Sequence, residues 1–214
     1  MKKFFIFVFL FIAGVFVFLL YFFHILVSKY YYNEDFGIDT YVSNVDKDDD
    51  GVDDQSDILN NALDYIGTRP KYKSKYYQGG YPDDGYGVCT DVVGYALLHS
   101  GYDLRELVNE DIINNRNQYH IDKIDKDIDF RRVANLDIYF HNNAITITTS
   151  IDDIGKWQGG DIVVFHKHIG IISNKRNKKG IPLVIHHYGV LQNNYEEDIL
   201  ESKKDEIIGH YRVS

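Results

Sequence analysis

Hydrophobic and polar positions divide the chain into stretches of different periodicity. Residues 4 to 27 read FFIFVFLFIAGVFVFLLYFFHILV, in which His24 is the only clearly polar side chain. At ~1.5 Å per residue this run makes about 36 Å of helix, enough to cross a hydrocarbon core of ~30 Å. It has no polar face, so it does not read as a core helix. It also exceeds the apolar stretch of about 7–15 residues in a signal peptide, and Ser28-Lys29-Tyr30 offers no small-x-small cleavage site. The pattern predicts one uncleaved transmembrane helix, with His24 snorkelling near its outer end. Helical spacing returns at Ile58, Leu59, Ala62, Leu63 and Ile66, with Asp57 as cap and Gly67 and Pro70 closing the segment. A second helix follows from Val92, Val93, Ala96 and Leu97, with Gly101 as its stop. Farther on, residues 161–165, 169–173, 182–185 and 207–213 read as strands separated by polar turns. Helices followed by hairpin-connected strands predict an α+β fold with an antiparallel sheet.

Charge sharpens this division. The chain has 214 residues, Lys+Arg 23 against Asp+Glu 32, and a net charge of -9. Residues 1–29 hold three of those cations and no acid. Lys2 and Lys3 before the span and a strongly acidic chain after it predict a cytoplasmic N-terminus and an extracytoplasmic remainder. Such a balance gives no general electrostatic reason to bind nucleic acid, which needs clustered cations. A single Cys excludes a disulfide framework. The expected organisation is a membrane anchor over 1–29, a juxtamembrane segment over 30–56 and a domain over 57–214.

Within that juxtamembrane segment, Asp46, Asp48 and Asp50 alternate, Gly51 follows, and Asp54 and Asp57 occupy the ninth and twelfth places. A hard cation wants six to eight oxygens, and this order presents them, with the Val52 carbonyl at the seventh place. The loop resembles the dockerin and thrombospondin type of calcium repeat. It predicts a structural Ca²⁺ held by Asp46, Asp48, Asp50, Val52, Asp54 and Asp57.

The chemistry-bearing candidate is Cys89. It follows a glycine-rich loop and falls in the first turn of a helix, where free N–H groups and the positive dipole end favour a thiolate and offer an oxyanion donor. A lone Cys is more often a small buried hydrophobe, so a partner His decides the matter. The strand-associated candidates are His166, His168, His186 and His187. Cys at a helix head, Gly-Gly-Asp161-Ile-Val-Val-Phe, His168-Ile169-Gly170-Ile171 and Val184-Ile185-His186 together resemble the NlpC-type papain-like cysteine peptidases. That resemblance implies Cys89 as nucleophile, His168 as base and His186 as orienter. Alternation puts His186 and His187 on opposite faces, so only one serves. The motifs Gly87-Val88-Cys89-Thr90-Asp91, Asp129-Phe130-Arg131-Arg132 and Gly209-His210-Tyr211-Arg212 also resemble the bacterial domain-of-unknown-function family 1287.

The sequence therefore predicts a membrane-anchored, extracytoplasmic cysteine hydrolase of an amide or peptide bond, with cell-wall peptide stems (peptidoglycan) as the substrate class. Two alternatives stand beside it: a non-catalytic wall-binding or scaffold module, and a zinc hydrolase built on the four His. Tyr86 is a candidate oxyanion donor, and Arg131 or Arg132 a candidate carboxylate grip, although ion pairing with nearby Asp is the simpler role for both Arg.

Overall fold

A computed structural model of the chain describes residues 2–22 and 29–213; His24 and Ser28 lie outside them. Contacts divide the chain into two compact units, Met1–Tyr30 and Tyr31–Ser214. The first is helix α1, Lys2–Phe22. Its stretch Lys2–Leu20 is long and apolar enough to cross a membrane, a property shared by membrane spans and N-terminal signal sequences.

The second unit starts earlier than the hydrophobic pattern suggested. Tyr31 exchanges backbone hydrogen bonds with Arg176 (3.0 and 2.7 Å), and Asn33 bonds Gln158 (2.9 Å) and the Arg176 guanidinium (2.6 Å). The segment before residue 57 is thus sewn into the domain by polar contacts, which hydropathy does not register. Helix α2 spans Asp54–Gly67, and its cap is Asp53, not Asp57. Asp53 is extended and accepts from Ser56 N (3.3 Å) and Ser43 N (2.8 Å), satisfying an orphan helix donor. Asp57 sits inside the first turn, where its charge still suits the dipole.

A short parallel pair, β1 (Lys71–Tyr72) and β2 (Tyr86–Gly87), leads into α3 (Cys89–His99). Helices α4 (Leu104–Asn114), α5 (Lys126–Asp129) and α6 (Val133–Asn143) follow. Then come β3 (Ile145–Thr146), β4 (Ile162–Phe165), β5 (His168–Arg176), β6 (Pro182–Ile185), β7 (Glu196–Glu197) and β8 (Ile207–Arg212). They form one antiparallel sheet in the order β3-β8-β4-β5-β6-β7. The class is α+β, as expected. The last strand departs from simple hairpin order: β8 lies between β3 and β4. Buried Asp161 explains this. It accepts from His210 Nε2 (3.0 Å) and from Arg212 Nε and Nη2 (2.7 and 2.9 Å), while Trp157 stacks on His210 at 3.8 Å. Two β8 side chains are thereby tied to the start of β4.

Alternation divides the sheet into two faces. Ile162, Val164, Ile169, Ile171 and Ile185 join the core built with α2, α3, α4 and α6. Val163, Phe165, Ile172 and Val184 join a second core with Trp157 and Leu200. His168 pairs with Phe165 and lies on this second face, as does His186. Alternation carries His187 to the helix face. Gly170 is required where β5 meets β6, since a Cβ there would come within 2.6 Å of Val184 Cγ1 and 2.8 Å of the Ile185 carbonyl.

Candidate active site

The turn that presents Cys89 is fixed from beneath. Val88 is extended, and its N–H donates to Asp91 Oδ2 (2.8 Å). Asp91 is fully buried and takes a two-pronged bond from Arg131 Nε (2.7 Å) and Nη2 (2.8 Å); Arg131 Nη1 also donates to the Lys75 carbonyl (2.9 Å). Arg131 is therefore spent on architecture, and Arg132 lies 3.7 Å from Asp129. Gly87 packs against the Tyr65 hydroxyl so closely that a Cβ would clash with it.

Cys89 is half-buried at the first position of α3. The N–H groups of Ile169, Thr90 and Cys89 itself approach its sulfur and favour the thiolate. Burial outweighs them, and with the nearby Asp91 charge it pushes the thiol up to about 11. Desolvation thus acts on this thiol against the helix end and its N–H groups.

His168, buried at the start of β5, places Nε2 2.9 Å from His186 Nδ1. On the far side, His186 Nε2 lies 3.0 Å from Glu197 Oε2. A carboxylate only accepts, so His186 Nε2 carries a proton toward Glu197. When His186 carries only that one proton, its Nδ1 accepts and His168 donates from Nε2. In that protonation state the chain Glu197–His186–His168 leaves His168 Nδ1 as an acceptor. Burial lowers His168 to about 3, and the neighbouring His186 and Lys203 act in the same direction, so its imidazole is neutral. Sequence reasoning did not find Glu197. It stands in a two-residue strand opposite Val184, and no spacing rule separates it from the neighbouring Glu196.

Cys89 and His168 approach from different sides. Cys89 packs with the helix-side core and reaches β5 at the Ile169 N–H, one residue beyond His168; no hydrogen bond joins its thiol to either imidazole. His187 is on the Cys89 side, edge-on to Tyr72 (5.3 Å) and Tyr195 (5.0 Å), with its Nδ1 buried and unpartnered. His166 is exposed in the β4–β5 turn. The four His do not converge: among the described residues, the group of potential ligands lying within 4.8 Å of one another is Asp46, Asp48 and Asp50. Tyr86 lies beneath Lys73, whose Nζ is 5.2 Å from its ring centroid.

In the acidic loop, Asp46 accepts from Asp50 N (3.1 Å) and Gly51 N (2.9 Å), wrapping the turn. Val52 donates its N–H to Asp50 Oδ1 (2.8 Å). Asp54 stands apart from the trio, buried and accepting from Lys47 N (2.7 Å) and the Tyr102 hydroxyl. Asp57, also buried, is raised to about 6 by burial and then by Asp50 and Asp48, so it lies within their field.

Residues 59–213 match the family model described as Domain of unknown function (DUF1287). The chain belongs to this family. It is also similar to a protein of Escherichia coli (strain K12) described as "Uncharacterized protein YijF", 38% identical over 168 residues that cover 72% of this chain and 80% of that one. No solved structure matches. The family span takes in Cys89, His168, His186 and Glu197, and leaves out α1 and the acidic loop.

Proposed function

We propose that this family member is a membrane-anchored, extracytoplasmic cysteine hydrolase of NlpC/papain-like descent, acting on an amide in cell-wall peptide stems. The observation that carries the reading is the chain Glu197–His186–His168 at the head of β5, the strand whose next N–H, that of Ile169, approaches the Cys89 sulfur. In this mechanism Cys89 Sγ attacks the carbonyl carbon while its proton passes to His168 Nδ1, which substrate binding must first bring to the Cys89 side of β5. The helix-end N–H groups stabilise the oxyanion. Collapse breaks the C–N bond, and His168 returns the proton to the departing amine. Water then attacks the thioester, with His168 as base, releasing the acid and restoring the thiol. His186 and Glu197 hold the reactive tautomer and steady the imidazolium.

The anchor is α1, with the N-terminus in the cytoplasm by the positive-inside bias. We propose further that the acidic loop holds a structural Ca²⁺, supported by the clustered carboxylates of Asp46, Asp48 and Asp50 and by Asp57 within their field. The ion would supply the positive charge that relieves their mutual repulsion.

A second reading, a non-catalytic wall-binding module, is favoured by one observation: no hydrogen bond joins the Cys89 thiol to His168, and burial disfavours the charged form of both. Digestion of purified peptidoglycan by the full-length protein in detergent, with Cys89→Ala as control, separates the two. Release of peptide fragments that survives Cys89→Ala would end the nucleophile assignment. Binding without cleavage by the native protein supports the module.

A further inference from the structure

Beside the loop that presents Cys89 lies a cleft of about 440 Å³, within the range of small-ligand sites. Its walls come from β1, β2 and the segment after β6, and they include Arg69, Lys71, Tyr86, His187, Gln192 and Asn193. Tyr86 stands three residues before Cys89, and His187 is on the sheet face that Cys89 packs against. The cleft thus shares its walls with the chain leading to Cys89 and with the strand end on the helix side, although Cys89 itself does not line it.

Its charge is unusual for this protein. Asp+Glu outnumber Lys+Arg 32 to 23 overall, yet no acidic side chain lines the cleft while two cations do. Neither cation has a carboxylate partner. Arg69 reaches only the Asn193 carbonyl, at 3.4 Å, and Lys71 makes no side-chain bond. Lys75, on the same strip of chain, pairs with Asp84, and Arg105 pairs with Asp127 at 2.6 Å, so partners are available where the fold uses them. Arg69 is exposed just past the cap of α2, where its left-handed backbone (φ 53) ends the helix. The unpartnered Nδ1 of His187 belongs to a third polar residue of the same wall.

We propose that this cleft is a carboxylate-binding subsite, in which Arg69 and Lys71 grip an acidic residue of a peptide whose backbone runs on toward Cys89. The guanidinium fork suits a carboxylate in two-point contact, and the ammonium adds a second, point-like charge. The grip stands on the cleft alone; only the direction of the backbone rests on the hydrolase reading.

The test uses full-length Cys89→Ala protein in neutral detergent and two dansylated peptides, acetyl-Ala-Glu-Ala-amide and its Gln isostere, read by fluorescence anisotropy. The Glu peptide should bind at least tenfold more tightly at low salt, and added NaCl should erode the difference. Arg69→Gln with Lys71→Gln should abolish the preference, and Lys71→Glu alone should reduce it severalfold. Equal binding of the two peptides by the parent protein would overturn the subsite, as would an unchanged preference in the variants. Digestion of purified peptidoglycan by native protein is scored separately. A Glu preference in a protein that fails to digest purified peptidoglycan leaves the subsite standing and removes the hydrolase; peptidoglycan digestion without a Glu preference does the reverse.

Discussion

When the middle imidazole carries a single proton, a carboxylate at one end of a two-imidazole chain fixes which nitrogen accepts at the other, and that makes Glu197 worth testing. Removing its charge while keeping an acceptor, as in Glu197→Gln, should preserve the tautomer and weaken support for the imidazolium. Glu197→Ala removes both. We expect Glu197→Gln to lower kcat severalfold and Glu197→Ala about 10–100-fold, the range seen for partners that orient a functional His. In ¹⁵N spectra, His168 Nδ1 should be the unprotonated nitrogen in the native protein and lose that bias in Glu197→Ala. A native spectrum with the proton on His168 Nδ1 would refute the assigned order. Cys89→Ala and His168→Ala should each abolish turnover, and the double variant should be little worse, because both disable one step. If His187→Ala is dead and His168→Ala active, the base is the imidazole on the Cys89 face. Thiol reactivity gives a further prediction. Cys89 is pushed up to about 11, so alkylation of the folded protein should lag a free thiol (pKa ~8.5) at pH 8 and rise steeply only above pH ~10. Unfolding in guanidinium should restore the ordinary profile. A folded-state midpoint below 8.5 would instead point to a preformed thiolate–imidazolium pair.

At the scale of elements, the ion pair beneath α3 decides whether Cys89 is presented at all. Arg131 and Asp91 are both buried, so removing one partner strands a charge. Arg131→Met should destabilise the protein by about 3–5 kcal/mol, and pairing it with Asp91→Leu should recover much of that loss, since an apolar replacement of both partners avoids the desolvation cost. Chemical denaturation with the two singles and the double measures this directly; a double variant no better than Arg131→Met would mean the pair does more than neutralise charge. Apolar periodicity revealed α2, α3 and the strands around His168 because those elements bury one face. It did not reveal the start of α2, which is set by the Asp53 carboxylate, nor the insertion of β8 beside β4, set by Asp161 with His210 and Arg212. Both are polar, long-range choices that a local pattern does not encode. Glu197 escaped for the same reason: its partner His186 is eleven residues away and joined by a turn, not by a spacing rule. The thiol shift escaped because a helix end is visible in sequence and the depth of burial around a sulfur is not.

For the molecule as a whole, the acidic loop should link stability to pH, and to calcium if the proposed ion binds there. Asp57 is raised from 3.8 to about 6 by burial and by the charges of Asp50 and Asp48. A folded-state pKa above the unfolded one means that the native protein binds the extra proton between those values. The contribution of protonated Asp57 is therefore fully present below pH ~3.8 and is lost as pH rises through about 6. In chelator, the native protein should lose stability across that window relative to Asp57→Asn, whose amide does not titrate. A bound Ca²⁺ reverses the sense. It prefers the ionised carboxylates, so its stabilisation should be largest above pH ~6 and fade below it. By mass action, calcium at 100 times its Kd adds about 2.7 kcal/mol. Melting curves of the full-length protein in detergent, taken from pH 4 to 8 with chelator or with calcium, separate these effects. Asp48→Ala with Asp50→Ala should abolish the calcium shift and flatten the chelator curve, since it removes the neighbours that raise Asp57. A calcium shift of equal size in that double variant would place the ion elsewhere. A difference between native protein and Asp57→Asn that grows toward alkaline pH, past 7, would assign the titration to another group.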